Sequence, residues 1–216
     1  MTALSSIARN AGVKSMVKRA FDFILSLLGL ILSTPFWLLF SLGILLEDGW
    51  PVLYLQERIG RGGRIFEALK FRSMIKCAEE GIGPVQAVEN DPRVTKVGRI
   101  LRATAMDELP QLINILKGDM SFVGPRALRP AELEVKGNPD TARIREILGY
   151  KDRITVRPGL TGLAQVYLPT DAPRHEKFRY DLHYIKTQNF WLDLKLIFLS
   201  FWITLRGKWE SREKKI

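Results

Sequence analysis

The sequence predicts an α+β, mainly helical chain with an N-terminal re-entrant (helix-break-helix) membrane helix, a small β-hairpin and amphipathic interfacial helices. Three observations carry this. Phe23 to Leu46 runs for 24 residues without a charge. Two strand-like runs flank a glycine-rich turn at Gly60-Arg61-Gly62-Gly63. A second apolar run, ten residues from Leu196 to Leu205, is too short to span a bilayer. They divide the 216 residues into a basic N-terminus with its membrane helix (1–48), a polar central domain (49–189) and an interfacial helix with a basic tail (190–216).

The first apolar segment would reach about 36 Å as a straight helix, more than the ~30 Å hydrocarbon core. It is longer than the apolar stretch of a signal peptide, and Glu47-Asp48-Gly49-Trp50 follows it in place of a small-residue cleavage site. Ser33, Thr34 and Pro35 sit almost at its midpoint. Proline removes a backbone donor and crowds the preceding turn, and neighbouring hydroxyls satisfy freed groups, so Thr34-Pro35 is the expected break. Arg9, Lys14, Lys18 and Arg19 precede the segment, and Arg58, Arg61 and Arg64 follow it. That near-symmetry favours entry and exit by one face over a kinked span, because a span is lopsided in basic charge. Lys18 and Arg19 are the expected anchors. All five tryptophans fall in or beside the two apolar segments, as headgroup-level indoles do.

In the middle, Val52–Arg58 and Arg64–Arg72 read as the hairpin, the second run alternating Phe66, Ala68 and Lys70 against Glu67, Leu69 and Phe71. Residues 76–91 read as a loop. Arg93, Lys96, Arg99 and Arg102 recur every three residues, a spacing that drifts about 60° per step on a helix and makes a curved basic collar. Thr104 to Gly118 holds a short amphipathic helix with Leu109, Leu112, Ile113 and Leu116 on one face. Pro110 belongs in a first turn, so the helix is expected to begin near Asp107 or Glu108, with Asp107 at or beside the N-cap. Asp107 is then either a simple cap, contributing about 1 kcal/mol, or a carboxylate poised to attack or to ligate at a helix N-terminus. Arg126 and Arg157 each lie in a Pro/Gly turn suited to phosphate oxygens.

Composition excludes several classes. One cysteine, Cys77, forms no intrachain disulfide, and with two histidines it assembles no Cys/His zinc site, so a metal here would be oxygen-ligated magnesium or manganese. The chain has no P-loop, no dinucleotide fingerprint and no H-E-x-x-H. A net charge of +10 with 46% apolar residues excludes disorder and leaves nucleic acid, an anionic membrane and phosphorylated substrates open.

An ordered series of motifs narrows that choice: Lys18-Arg19-x-Phe21-Asp22, Pro51-Val52-Leu53-Tyr54, Gln56-x-Arg58-Ile59-Gly60, Lys70-Phe71-Arg72-Ser73-Met74 and Val97-Gly98-Arg99-x-Leu101-Arg102. It continues with Asp107-Glu108-Leu109-Pro110-Gln111, Gly118 through Arg126 and Val156 through Gly162. Together they resemble the bacterial sugar transferases, the monotopic polyprenol-phosphate phosphoglycosyltransferases. The resemblance implies a protein of the bacterial inner membrane, facing the cytosol, with its helices around a cytosolic active site. It implies transfer of a phosphosugar from a nucleotide diphosphate sugar, a UDP-sugar, to polyprenol phosphate such as undecaprenyl phosphate. An Asp-Glu dyad works there with Mg2+ or Mn2+ through a covalent aspartyl intermediate, and Asp107 and Glu108 match it. The family's break is Ser-Pro where this chain has Thr34-Pro35, and Ala105 and His183 stand where relatives often carry a hydroxyl residue and a tyrosine.

On this reading Asp107 attacks and contacts metal, and Glu108 assists at the metal, leaving group or lipid phosphate. Arg126 and Arg157 are the expected phosphate-binding residues, ahead of Lys70, Arg72, Arg99 and Arg102. Partners are the nucleotide sugar, polyprenol phosphate and anionic lipids, with a homodimer left open and nucleic acid disfavoured because the tryptophans sit in the membrane segments. The competing classes are a magnesium-dependent sugar-nucleotide pyrophosphatase and a basic membrane scaffold.

Overall fold

The computed structural model describes residues 2–78, 80, 91–130, 144–211, 213, 215 and 216, with side chains from Ser15 onward. Helix α1 (Thr2–Asp48) leads into strands β1 (Leu53–Ile59) and β2 (Ile65–Phe71). Then come α2 (Lys96–Ala103), α3 (Gln111–Lys117), β3 (Ser121–Val123), α4 (Tyr150–Arg153) and β4 (Gly159–Thr161). Helices α5 (Leu163–Tyr167), α6 (Arg174–Thr187) and α7 (Phe190–Leu205) complete the order. The expected loop at 76–91 lies mostly outside the described residues.

The hairpin forms as read. β1 and β2 pair antiparallel from Leu53 opposite Phe71 to Ile59 opposite Ile65. Side chains alternate across a strand, so the face that buries Phe66 and Ala68 against Leu112 and Ile115 of α3 also carries Lys70. Asn114 of α3 locks this contact. Its buried amide donates to Glu67 O (2.7 Å), and its Oδ1 accepts from Leu69 N (3.0 Å), standing in for a third strand at the free edge of β2.

The two Pro/Gly turns dock on each other. β3 and β4 pair in parallel, Ser121 opposite Gly159 and Val123 opposite Thr161. A Cβ on Gly159 would stand 2.1 Å from Gly124 N, so only glycine permits this approach. The backbone amides of these turns are paired within the crossing: Gly124 N donates to Thr161 O and Gly159 N to Pro125 O, both at 2.9 Å.

Helix α1 runs unbroken through Pro35, which corrects the helix-break-helix expectation. Ser33 Oγ and Thr34 Oγ1 bond back to Leu30 O (3.2 and 3.1 Å), within their own helix. Beyond the proline, Trp37 and Phe40 pack edge-on against Phe71, ring centres 5.2 and 6.0 Å away, so tertiary packing carries the helix past the lost bond. Between Lys18 and Glu47 the helix is seated on one body at two separated places. Lys18 reaches Asp193 and Tyr184, Arg19 donates to Ile115 O and Leu116 O (2.6 and 2.7 Å), and Asp22 accepts from Phe122 N (3.0 Å). Near the other end, Glu47 accepts from Lys96 N and Val97 N (2.6 and 2.8 Å) at the start of α2. Lys18 and Arg19, expected at headgroups, are thus turned onto the protein.

The outer side of α1 is bare: Ile24, Leu28, Ile31, Leu32, Leu38, Leu39, Leu42 and Leu46 are each at least half exposed. Helix α7 is not amphipathic as expected but apolar on both sides. Leu196 and Ile203 are fully buried in the core with Val166 and Tyr184, while Trp191, Phe198, Phe201 and Leu205 are exposed. Phe21 of α1 meets Phe190 of α7 edge-on at 5.3 Å, so the two helices touch. A long, mostly exposed apolar helix of this kind is consistent with monotopic membrane association.

Asn114→Ala removes both hydrogen bonds to the edge of β2 and is expected to lower the unfolding free energy by about 1 to 3 kcal/mol. A drop in thermal midpoint, absent for Lys117→Ala on the exposed side of α3, checks it.

Candidate active site

Pro110 has no N–H, and here it precedes α3 rather than entering its first turn, so the helix starts at Gln111. The dyad forms a separate 3-10 turn, Met106–Glu108, and Ala105 before it takes a left-handed conformation (φ 54°). Asp107 is therefore not the N-cap of α3, correcting that expectation. The tight turn lets two adjacent carboxylates, both buried, address one cation. Lys70 Nζ lies 2.6 Å from Glu108 Oε1 and 3.6 Å from Asp107 Oδ2.

The two acids are otherwise unlike. Glu108 also holds Arg126 Nη2 at 2.7 Å. Burial alone would push its pKa up, but the charges and hydrogen bonds of Arg126 and Lys70 outweigh this and hold it well below the usual carboxylate range. Asp107 accepts no hydrogen bond among the described residues. Burial pushes its pKa up, the Glu108 charge adds to the rise, and Lys70, Arg102 and Arg126 oppose it. One carboxylate is clamped and the other is left available.

Both open on a cleft of about 1700 Å³ whose lining includes eleven basic side chains against seven acidic ones, a surplus that suits phosphate-bearing ligands. Of the sequence-selected cations, Lys70, Arg72, Arg102 and Arg126 line it. Arg72 is buried and tied to the end of α1, donating to Asp48 O and Gly49 O (2.9 and 2.6 Å) and pairing with Asp48 Oδ2 (2.9 Å). Arg102 pairs with Glu210 (2.7 Å). Arg99 is exposed and outside the lining, and Arg157 is not brought in either. Arg157 donates to Gly118 O (2.9 Å), with its pKa lowered by burial and by Arg19 and Arg61.

Sequence reasoning missed Arg153. It is buried, pairs with Asp181 at 2.7 Å, lies over the Phe178 ring and donates to Arg126 O, so it fixes the backbone from which Arg126 reaches Glu108. An isolated arginine in a one-turn helix gives no sequence signal of that role.

Among the described residues no group of three or more His, Cys, Asp or Glu side chains is placed to hold a metal ion. Two adjacent carboxylates beside a phosphate cleft nevertheless fit magnesium, which is bound by one or two carboxylates completed by substrate phosphates.

A basic cleft beside a long, exposed apolar helix is consistent with the class of membrane-associated proteins that act on phosphates. The chain belongs to the bacterial sugar transferase family, whose model matches residues 13–207. It is 40% identical over 196 residues to the UDP-glucose:undecaprenyl-phosphate glucose-1-phosphate transferase of Escherichia coli (strain K12), covering 88% of this chain and 40% of that protein. The Caulobacter vibrioides protein of the same description is 44% identical over 185 residues, 83% of this chain and 66% of its own length. The exopolysaccharide production protein PSS of Rhizobium leguminosarum bv. phaseoli is 40% identical over 188 residues, 85% and 92% of the two chains. The chain thus spans less than two thirds of the first two relatives.

Breaking a buried ion pair on one side costs about 3 kcal/mol or more, because the other charge is left uncompensated. Lys70→Met is expected to lose about that much stability, and Glu108→Gln added to it to restore part of the loss; a double-mutant cycle on unfolding free energies measures the coupling.

Proposed function

We propose that the chain transfers a sugar phosphate from a UDP-sugar to undecaprenyl phosphate, giving polyprenol diphosphosugar and UMP, as the first membrane step of exopolysaccharide or glycoconjugate synthesis. The observation that carries this is the asymmetry of the dyad: Glu108 is neutralised by Lys70 and Arg126, while Asp107 faces a basic cleft and accepts no hydrogen bond among the described residues. The activities of these relatives agree with it.

An Asp107 carboxylate oxygen bonds to the sugar-bearing phosphorus, and the P–O bond to UMP breaks, its electron pair leaving with UMP. An oxygen of the lipid phosphate then attacks the same phosphorus and releases the Asp107 carboxylate. A covalent intermediate lets two bulky substrates use the site in turn. Arg126 and Lys70, already at the dyad, offset charge on the phosphates, and Glu108 keeps both in reach. Asp107 and Glu108 are the residues that would hold magnesium, or manganese in its place; the bound cation supplies neutralisation of the diphosphate.

We infer further that α1 is seated from the cytosolic side of the inner membrane without crossing it, among anionic lipids. The support is geometric: Lys18 and Glu47, about 43 Å apart on a straight helix, contact the same body, which leaves no room for a bilayer between them. Keeping the eight half-bare leucines and isoleucines in water would forgo on the order of 10 kcal/mol of burial.

Incubation with radiolabelled UDP-sugar is expected to trap label on the wild-type chain and not on Asp107→Asn; label on both sinks the aspartyl step. Steady UMP release without lipid phosphate would assign a pyrophosphatase instead. With Cys77→Ser as background, Arg9→Cys and Arg61→Cys are expected to resist a membrane-impermeant thiol reagent applied to the periplasmic face. Labelling of either one overturns the topology.

A further inference from the structure

Trp209, Glu210, Ser211, Glu213 and Lys215 follow the stretch that the family model matches, yet they line the cleft. Trp209 N donates to Ala103 O (3.2 Å) and its indole Nε1 to Thr204 Oγ1 (2.7 Å). Glu210 Oε1 takes Arg102 Nε and Nη2, each at 2.7 Å. Thr170 donates its N–H to Ser211 O (3.1 Å) and its hydroxyl to Trp209 O (2.8 Å). The segment therefore joins the end of α2, two residues before the left-handed Ala105 that opens the dyad turn, to the connection between α5 and α6.

Lys215 ends up inside. It is only 4% exposed and lines the cleft, with Nζ donating to Gln165 O at 3.1 Å and lying 5.4 Å from the centre of the Trp209 ring. An ammonium has three N–H donors, and Gln165 O takes one of them. Burial, with the charges of Arg126 and Lys177, pulls its pKa down to about 8, against Glu210. Glu210 is already engaged by Arg102. The like charges of Arg126 and Lys177 disfavour the buried ammonium, and a phosphate entering the cleft would add an attraction to each cation that offsets their mutual repulsion.

We propose that Trp209, Glu210, Ser211, Glu213 and Lys215 form a strap that completes the cleft wall and presents Lys215 as a binding residue for substrate phosphate. The proposal rests on the transferase reading for the identity of its ligands, the nucleoside diphosphate and the lipid phosphate; the chemistry recognised is the same in both.

Equilibrium binding to the full chain in nanodiscs, with UDP in one arm and undecaprenyl phosphate in the other, tests it. Lys215→Met keeps the stem on Trp209 and is expected to weaken binding about tenfold in at least one arm, the loss of one charged hydrogen bond, with Lys215→Arg recovering most of it. The arm that responds identifies which phosphate meets Lys215. Unchanged affinity in both arms, or a loss that Lys215→Arg does not recover, overturns the proposal. If Lys215→Met lowers the thermal midpoint, Lys215→Gln, which retains a donor for Gln165 O, replaces it under the same criteria. Binding is read without turnover, so phosphate binding through Lys215 in a chain that transfers no sugar phosphate sinks the transferase reading and leaves the strap. Transfer with Lys215-independent binding sinks only the strap.

Discussion

Two adjacent carboxylates buried at one spot repel each other and lose hydration, and a single ammonium, Lys70 Nζ, stands between them. Much of the fold holds that ammonium and its counterpart guanidinium in place. Lys70 is aimed by the hairpin alternation and held in depth by Asn114, which ties β2 to the helix that follows the dyad. Arg126 is aimed by the glycine crossing of β3 and β4 and by the buried Arg153–Asp181 pair behind it. Loss of any of these supports would leave Glu108 charged with too few partners, which is why distant elements converge on one turn.

What was legible in the sequence was local. Period-two alternation in Arg64–Arg72 marks the hairpin, and the charge-free run marks α1, because both signals live on one element. The dyad stood out through adjacent acids beside a proline. The start of α3 was misplaced because Pro110 serves equally inside a first turn or just ahead of it, and only the packing of Leu112 and Ile115 on β2 decides between them. Arg126 and Arg157 look alike as turn arginines, yet the crossing of their strands sends one to Glu108 and the other to Gly118 O. Asn114, Arg153 and Lys215 carry no signal, since each acts on a partner at least 28 residues away in the chain.

The membrane segments divide similarly. Their apolarity was evident, but not that α1 has a working inner face. Asp22, Ser26 and Ser33 are buried along it, a polar stripe a generic lipid helix would not need. Asp22 accepts the Phe122 amide at the head of the β3–β4 crossing, so the position of α1 is coupled through one strand to the backbone of Arg126.

Glu47 caps α2 from the end of α1, and α2 leads directly into the dyad turn. The long apolar helix is thereby part of the scaffold of the cleft, not a detachable handle. Exchanging it for a helix of equal hydrophobicity from another protein would keep the apolar surface and still disorder the cleft. Substitutions on the outward side of that helix leave these contacts in place, whereas those on its inward side act on the cleft as well.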